Sequence, residues 1–174
     1  MSVWTGVVRA VLLLALTADA AAHADQAAEL ASAKAHLRGE AGGWPKALSL
    51  FQAVAKQGNP AGAYYLALMY KNGMGTARDS AAAAHWCEVA AERQVPAAMF
   101  LLANMYYSGD GVVRDWRVAR SWIERAAELE YPEAALLMAH GLREGNMGFE
   151  RDTERAEQQL QEAAHALKHR PAEP

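Results

Sequence analysis

An all-α solenoid of about four helix-turn-helix repeats is the fold this sequence predicts, and three observations predict it. Residues 60–94 and 96–130 spell one pattern twice. Each copy has a Pro, a Leu-Ala, a Tyr, a Gly-x-Gly, an Arg-Asp, an Ala, a Trp and an Ala-Ala-Glu, 36 residues from its counterpart. A fixed period in that range belongs to arrays of helix pairs that stack only on their neighbours. Within each unit, apolar and small residues recur at helical spacing. Pro and paired Gly punctuate both copies at the same places, where helices start and stop.

The N-terminal stretch, residues 1–24, stands apart from this pattern. Arg9 precedes the apolar run Ala10–Ala18 (AVLLLALTA), which has the length of a signal h-region and is too short to span a bilayer. Small-residue cleavage patterns follow at Ala18-Asp19-Ala20 and Ala22-His23-Ala24. The expectation is a cleavable export signal and a periplasmic or secreted chain, with no cysteine near the junction to carry a lipid anchor. The competing reading is a buried N-terminal helix.

The full chain carries a net charge of −3, and removing residues 1–24 deletes one base (Arg9) and one acid (Asp19). That balance argues against a nucleic-acid partner or an anionic membrane surface. Cys87 is the single cysteine, so no internal disulfide can form. Beside Trp86 in a predicted helix, it reads as a buried, inert thiol.

The period extends in both directions from the clear pair. Leu30, Leu66, Leu102 and Met138 form one column, and Ala31, Ala67, Ala103 and Ala139 another. Gly39, Gly75 and Gly111 align, as do Ala47, Ala83 and Ala119, with Ala156 joining after a one-residue insertion. The repeats then run over about 25–59, 60–95, 96–131 and 132–169, followed by a tail, 170–174, expected to be disordered.

Each repeat reads as two helices. Pro60, Pro96 and Pro132 take the first helical position, where a missing N–H costs nothing. Ala63, Leu66, Ala67 and Tyr70 share one face, as do Met99, Leu102, Ala103 and Tyr106. Gly73-x-Gly75 and Gly109-x-Gly111 end the first helix in left-handed backbone. Asp79, Asp115 and Asp152 follow as N-caps of the second helix. That helix turns Ala83, Trp86 and Ala90 inward, and Ala119, Trp122 and Ala126 in the next unit.

The end units depart from the pattern. In the first, Lys34 holds the Tyr column and Trp44-Pro45 opens the second helix without an acidic cap. In the last, Leu142 replaces Tyr, Gln159 replaces Trp, and Gly145-Asn-Met-Gly148 reads as a looser turn.

Leu66-Ala67, Tyr70, Gly73-x-Gly75, Asp79, Ala83, Trp86 and Ala90-Ala91 together resemble the Sel1-like repeat family, a variant of tetratricopeptide repeats with a longer inter-helix loop. The usual pattern begins Leu-Gly, and here Ala replaces that Gly in every repeat. The resemblance is strong over 60–130, fair over 132–165 and weak over 25–59. It implies a right-handed α/α superhelix whose members mostly act as adaptors, in bacteria often in the cell envelope. Cysteine-rich members have been described as penicillin-binding or β-lactamase-like, but their paired cysteines are missing here.

Chemistry-bearing motifs are few. The sequence has no Gly-x-Ser-x-Gly elbow, no His-Glu-x-x-His and no P-loop. Glu162, His165 and His169 share a face of the last helix at a spacing suited to two metal ligands, and are a weak candidate on an exposed terminal helix. No cofactor is expected.

The first helices carry a second stripe, opposite their packing residues: Tyr64, Leu68 and Lys71, then Phe100, Asn104 and Tyr107, then Leu136, His140 and Arg143. In superhelices of this kind the first helices line the concave side, the usual binding surface. Tyr64, Phe100 and Tyr107 suit apolar anchors there, and Lys71, Asn104 and Arg143 suit polar contacts. The alternative is that these side chains pack between adjacent first helices. The expected function is a non-catalytic interaction module holding a protein segment; the competing class is an envelope hydrolase acting on β-lactams or peptidoglycan.

Overall fold

The computed structural model describes residues 23–169, and their regular structure is helical throughout. Helix α1 covers 23–38, and α2 (Trp44–Lys56) is entered through a 3-10 turn at Ala41–Gly43. Then come α3 (Pro60–Asn72), α4 (Ser80–Glu92), α5 (Pro96–Ser108), α6 (Trp116–Glu128), α7 (Pro132–Glu144) and α8 (Thr153–His169). The expected export signal lies outside the described residues except for residues 23 and 24, which begin α1; the expected tail lies outside them entirely. Among the described residues no helix is long and apolar enough to cross a membrane.

The helix ends follow from the punctuation. Pro opens α3, α5 and α7. Gly73, Gly109 and Gly145 close the same helices at φ +67°, +79° and +64°, a conformation L-residues disfavour. The N–H one residue further on reaches back into the helix: Met74 to Met69 O, Asp110 to Met105 O, Asn146 to Gly141 O. Asp79 accepts from Ala82 N at 2.9 Å, Asp115 from Arg117 N at 2.8 Å, and Asp152 from Arg155 N at 2.9 Å. Each cap contributes about 1 kcal/mol. The same three aspartates donate their own N–H to Tyr70 O, Tyr106 O and Leu142 O, so each ties the end of its loop back to the preceding helix.

Each helix packs chiefly on the one before and the one after it in sequence, as expected of a one-dimensional stack. Small side chains allow the close approach. Ala47, Ala83, Ala119 and Ala156 are all buried, and so are Ala67, Ala103 and Ala139. Leu66, Leu102 and Met138 fill the space between them.

Three expectations need correction, and one aligned glycine behaves differently from its counterparts. Ala31 is exposed, because the described residues place no earlier repeat against its face; Ala33, in register with Met69 and Met105, is the buried residue of α1. Gly39 is not left-handed, unlike Gly75 and Gly111, since α1 runs two residues further than its counterparts and the first repeat turns differently. Trp86 and Trp122 are half-buried at the rim, and the fully enclosed positions are the next ones, Cys87 and Ile123. The last turn is not loose: Met147 and Phe149 are buried, and Phe149 sits where a Cβ on Gly141 would meet its ring at 2.6 Å. Gly141 stands in the register of Met69 and Met105, so Phe149 takes up the space a methionine fills in the middle repeats.

Cys87 is fully buried, its Sγ 3.1 Å from Ala98 O. Burial pushes the thiol up to about 12, so almost none of it is thiolate at neutral pH. The folded chain should therefore resist a thiol-specific reagent such as DTNB, and react at once in denaturant. Rapid stoichiometric labelling without denaturant would mean that the α4–α5 contact opens readily.

Candidate interaction surface

The second stripe on the first helices is arranged as a gradient. In α3, Tyr64, Leu68 and Lys71 are half-buried; Tyr64 meets Tyr65 edge-on, ring centroids 5.6 Å apart. In α5, Phe100 is half-buried against the main core and rests on Tyr131, the residue before α7, at 5.6 Å. Asn104 turns its amide back on its own helix, donating to Phe100 O at 2.9 Å. Tyr107 is 38% exposed. In α7, Leu136 is 43% exposed, and His140 and Arg143 are exposed. Tyr64 and Phe100 thus share in the packing between repeats, while the side chains open to a partner gather from Tyr107 to Arg143. The packing alternative therefore holds for Tyr64 and Phe100, and the exposed remainder is the part left open to solvent.

Tyr107 leads to a residue the periodic pattern did not single out. Its ring stacks on Trp116 at 6.3 Å, and the Arg114 guanidinium lies 4.8 Å from the Trp116 ring and 5.7 Å from the Tyr107 ring. Trp116 is 48% exposed, and Val113 in the same loop is 88% exposed. The signal in the sequence was positional. Trp116 is the first residue of α6, directly after its cap; Ser80 holds that place one repeat earlier, and Trp44, which packs against the core, one repeat before that. An exposed, cation-flanked aromatic pair of this kind is what interfaces favour.

Ion pairs hold the loops beside this surface in place. Arg78 forks onto Asp110 at 3.0 and 3.1 Å, joining the loop of one repeat to that of the next. The Ser80 hydroxyl, then Arg78, hold the Asp110 carboxyl below its ordinary pKa. Arg120 donates to Gly148 O at 2.8 Å and pairs with Glu124 at 3.1 Å, repeating the link toward the last unit.

The expected metal candidate does not assemble. His165 and His169 stack with centroids 4.5 Å apart, but Glu162 accepts from Gln158 at 3.0 Å and from Gln159 at 2.6 Å instead of joining them. Among the described residues no three His, Cys, Asp or Glu side chains are placed to share an ion.

Three stretches, 60–95, 96–131 and 132–166, match the Sel1 repeat. A search of curated proteins finds no match. Among solved structures, the chain is similar to a Sel1 repeat protein from Oxalobacter formigenes, with 25% identity and a TM-score of 0.73 over 81% of this chain and 58% of that one. It is also similar to a protective antigen present in uropathogenic Escherichia coli strains that displays an SLR fold, with 28% identity and a TM-score of 0.75 over 87% of this chain. The match spans 33% of the antigen's length, so this chain covers only part of either neighbour.

Proposed function

The chain belongs to the Sel1 repeat family, whose members generally serve as protein-interaction scaffolds, and from that premise we propose that it is a non-catalytic scaffold of the bacterial cell envelope. It holds a protein segment along the exposed half of the first-helix stripe. The observation that carries this reading is the exposure of Trp116, Tyr107, Leu136 and Arg143, apolar and cationic side chains set on helices packed from both sides. The Arg9 and Ala10–Ala18 pattern supports export to the envelope. The single thiol, the nucleophile a cysteine hydrolase would use, is buried with its proton held.

The test follows from the gradient. Phe100 contributes to packing, so the informative pair is Tyr107→Ala with Leu136→Ala, both exposed in the folded chain. The double variant should melt within about 2–4 °C of the parent, since surface changes stay near ±0.5 kcal/mol each. It should also lose cross-linked partner from intact cells, because truncated anchors each cost roughly 2 kcal/mol of affinity. A stable double variant that still captures its partner would overturn the assignment of this face. Turnover of a chromogenic β-lactam above a heat-killed control would overturn the scaffold reading itself.

A further inference from the structure

The last repeat breaks the tryptophan column. Trp86 and Trp122 pack half-buried against the core, and the Arg125 guanidinium lies 4.2 Å from the Trp122 ring. With the one-residue insertion, Trp122 corresponds to Gln159 and Arg125 to Glu162. The indole is gone and the cation beside it has become an anion. At this place the structure opens into a cleft of about 830 Å³ between α6, α7 and α8. Pro132, Ala135, Met138 and Ala163 line it with apolar surface. Glu124, Glu128, Glu130 and Glu162 give it an acidic wall, opposed by Arg155, which approaches Glu124 only to 3.9 Å, and by His165. Gln159 is 9% exposed, and its Oε1 has no hydrogen-bond partner among the described residues.

We propose that this cleft is a docking slot for an aromatic side chain borne next to a lysine or arginine on a partner polypeptide. The previous repeat shows the occupant's chemistry, because there the chain supplies an aromatic ring and a guanidinium from its own α6. In the last repeat α8 supplies neither group at these positions, and none of the described residues lining the cleft is Phe, Tyr or Trp. The replacement of Arg by Glu at the second position favours an incoming cation and disfavours an acidic segment. An aromatic ring set among Pro132, Ala135 and Met138 is also the kind of desolvated anchor that dominates interfaces. The volume lies within the range of sites that enclose one compact ligand group. The slot rests on the scaffold reading in that it names a feature of what is held. Its lining shares no residue with Leu136, His140 and Arg143, so the two surfaces can fail separately.

The probe is the tripeptide Ac-Lys-Trp-Lys-NH2, titrated into the full chain labelled with ¹⁵N, with Ac-Lys-Ala-Lys-NH2 and Ac-Glu-Trp-Glu-NH2 as comparisons. Saturable shifts at Ala135, Ala163 and the Gln159 side-chain amide are expected with the first peptide. Binding should be at least about tenfold weaker with either comparison. Gln159→Trp should fill the slot and weaken binding by at least about tenfold, with its melting curve recorded alongside. Glu128→Lys with Glu130→Lys changes exposed side chains only, and should weaken binding without affecting the melt. The proposal is overturned by any of three results: no saturable shift with Ac-Lys-Trp-Lys-NH2, equal shifts with Ac-Lys-Ala-Lys-NH2, or binding untouched by both variants. Concentration-dependent shifts at the same residues without peptide would assign the slot to a second copy, and would equally overturn it. None of these outcomes depends on partner capture through Tyr107 and Leu136.

Discussion

Ala103→Trp should lower the melting temperature of the full chain by roughly 5–10 °C, or leave it without a cooperative transition. Ala103 is fully buried in α5, in the column whose small side chains let successive helices approach. An indole there has no space to enter, and overpacking a filled core costs about 1–3 kcal/mol, at times more. For a chain of this size each kcal/mol shifts the melt by roughly 2–4 °C. The site is also the worst placed for relief. The repeats on both sides are packed against it, and stability in a stack passes through nearest-neighbour interfaces. Ala53→Trp on the exposed face of α2 is the comparison, and should melt like the parent. Circular dichroism at 222 nm during heating would decide it, and an unchanged melt for Ala103→Trp would mean that the Ala column does not set the helix spacing.

How much of this was legible in the sequence depended on the kind of information needed. Caps and helix ends are local, so Asp79, Asp115, Asp152, Gly73 and Gly109 could be placed from spacing alone, and the structure finds each in that role. The Ala columns were legible because burial repeats with the period. What failed was whatever depended on having a neighbour. Ala31 holds the place of Ala67 but has no earlier repeat against it among the described residues, so the same residue type is exposed in one unit and buried in the next. Phe149 was hidden for the opposite reason. The last turn compensates for Gly141 with a side chain from outside the periodic positions, which no column could reveal.

The surface was legible in kind and not in detail. Helical phase set Tyr64, Phe100 and Tyr107 on one stripe, but the structure packs Tyr64 and Phe100 against the core and leaves Tyr107 exposed. Phase says nothing of the distance to the next helix, so it could not show that Phe100 leans on Tyr131 while Tyr107 stays open. Trp116 was overlooked because it shares its column with Trp44 and Ser80, a mixed column whose residue type marks no constant role. The slot at Gln159 was visible as a broken column, but its depth appeared only once α6 and α8 were set against each other.

Gly111→Ala carries the second large effect, and it tests why the turn needs two glycines and not one. Gly109 and Gly111 both have φ +79°, which costs an L-residue about 1–2 kcal/mol. Conformation alone would make the two equivalent. Their surroundings differ. A Cβ on Gly109 would come no nearer than 3.4 Å to Arg114, within its own loop. One on Gly111 would stand far inside contact distance of the Ser80 carbonyl, at the start of the second helix in the repeat before. Gly75 has the same relation to Trp44, whose carbonyl a Cβ would meet at 2.7 Å, and Gly148 approaches Trp116 O at 3.4 Å. The second glycine is therefore the point where one repeat's loop docks on its predecessor, and a methyl group there must push two repeats apart. Adding overpacking to the conformational cost gives roughly 3 kcal/mol or more for Gly111→Ala, against about 1–2 kcal/mol for Gly109→Ala. Gly39→Ala is the blank. Its φ is not positive, its nearest atoms would be 3.6 Å from the new Cβ, and its melt should match the parent's. Thermal unfolding of the three variants side by side should rank them Gly111, Gly109, Gly39. If Gly111→Ala costs no more than Gly109→Ala, the second glycine serves the turn's own geometry, and the repeats are held together by their helices alone.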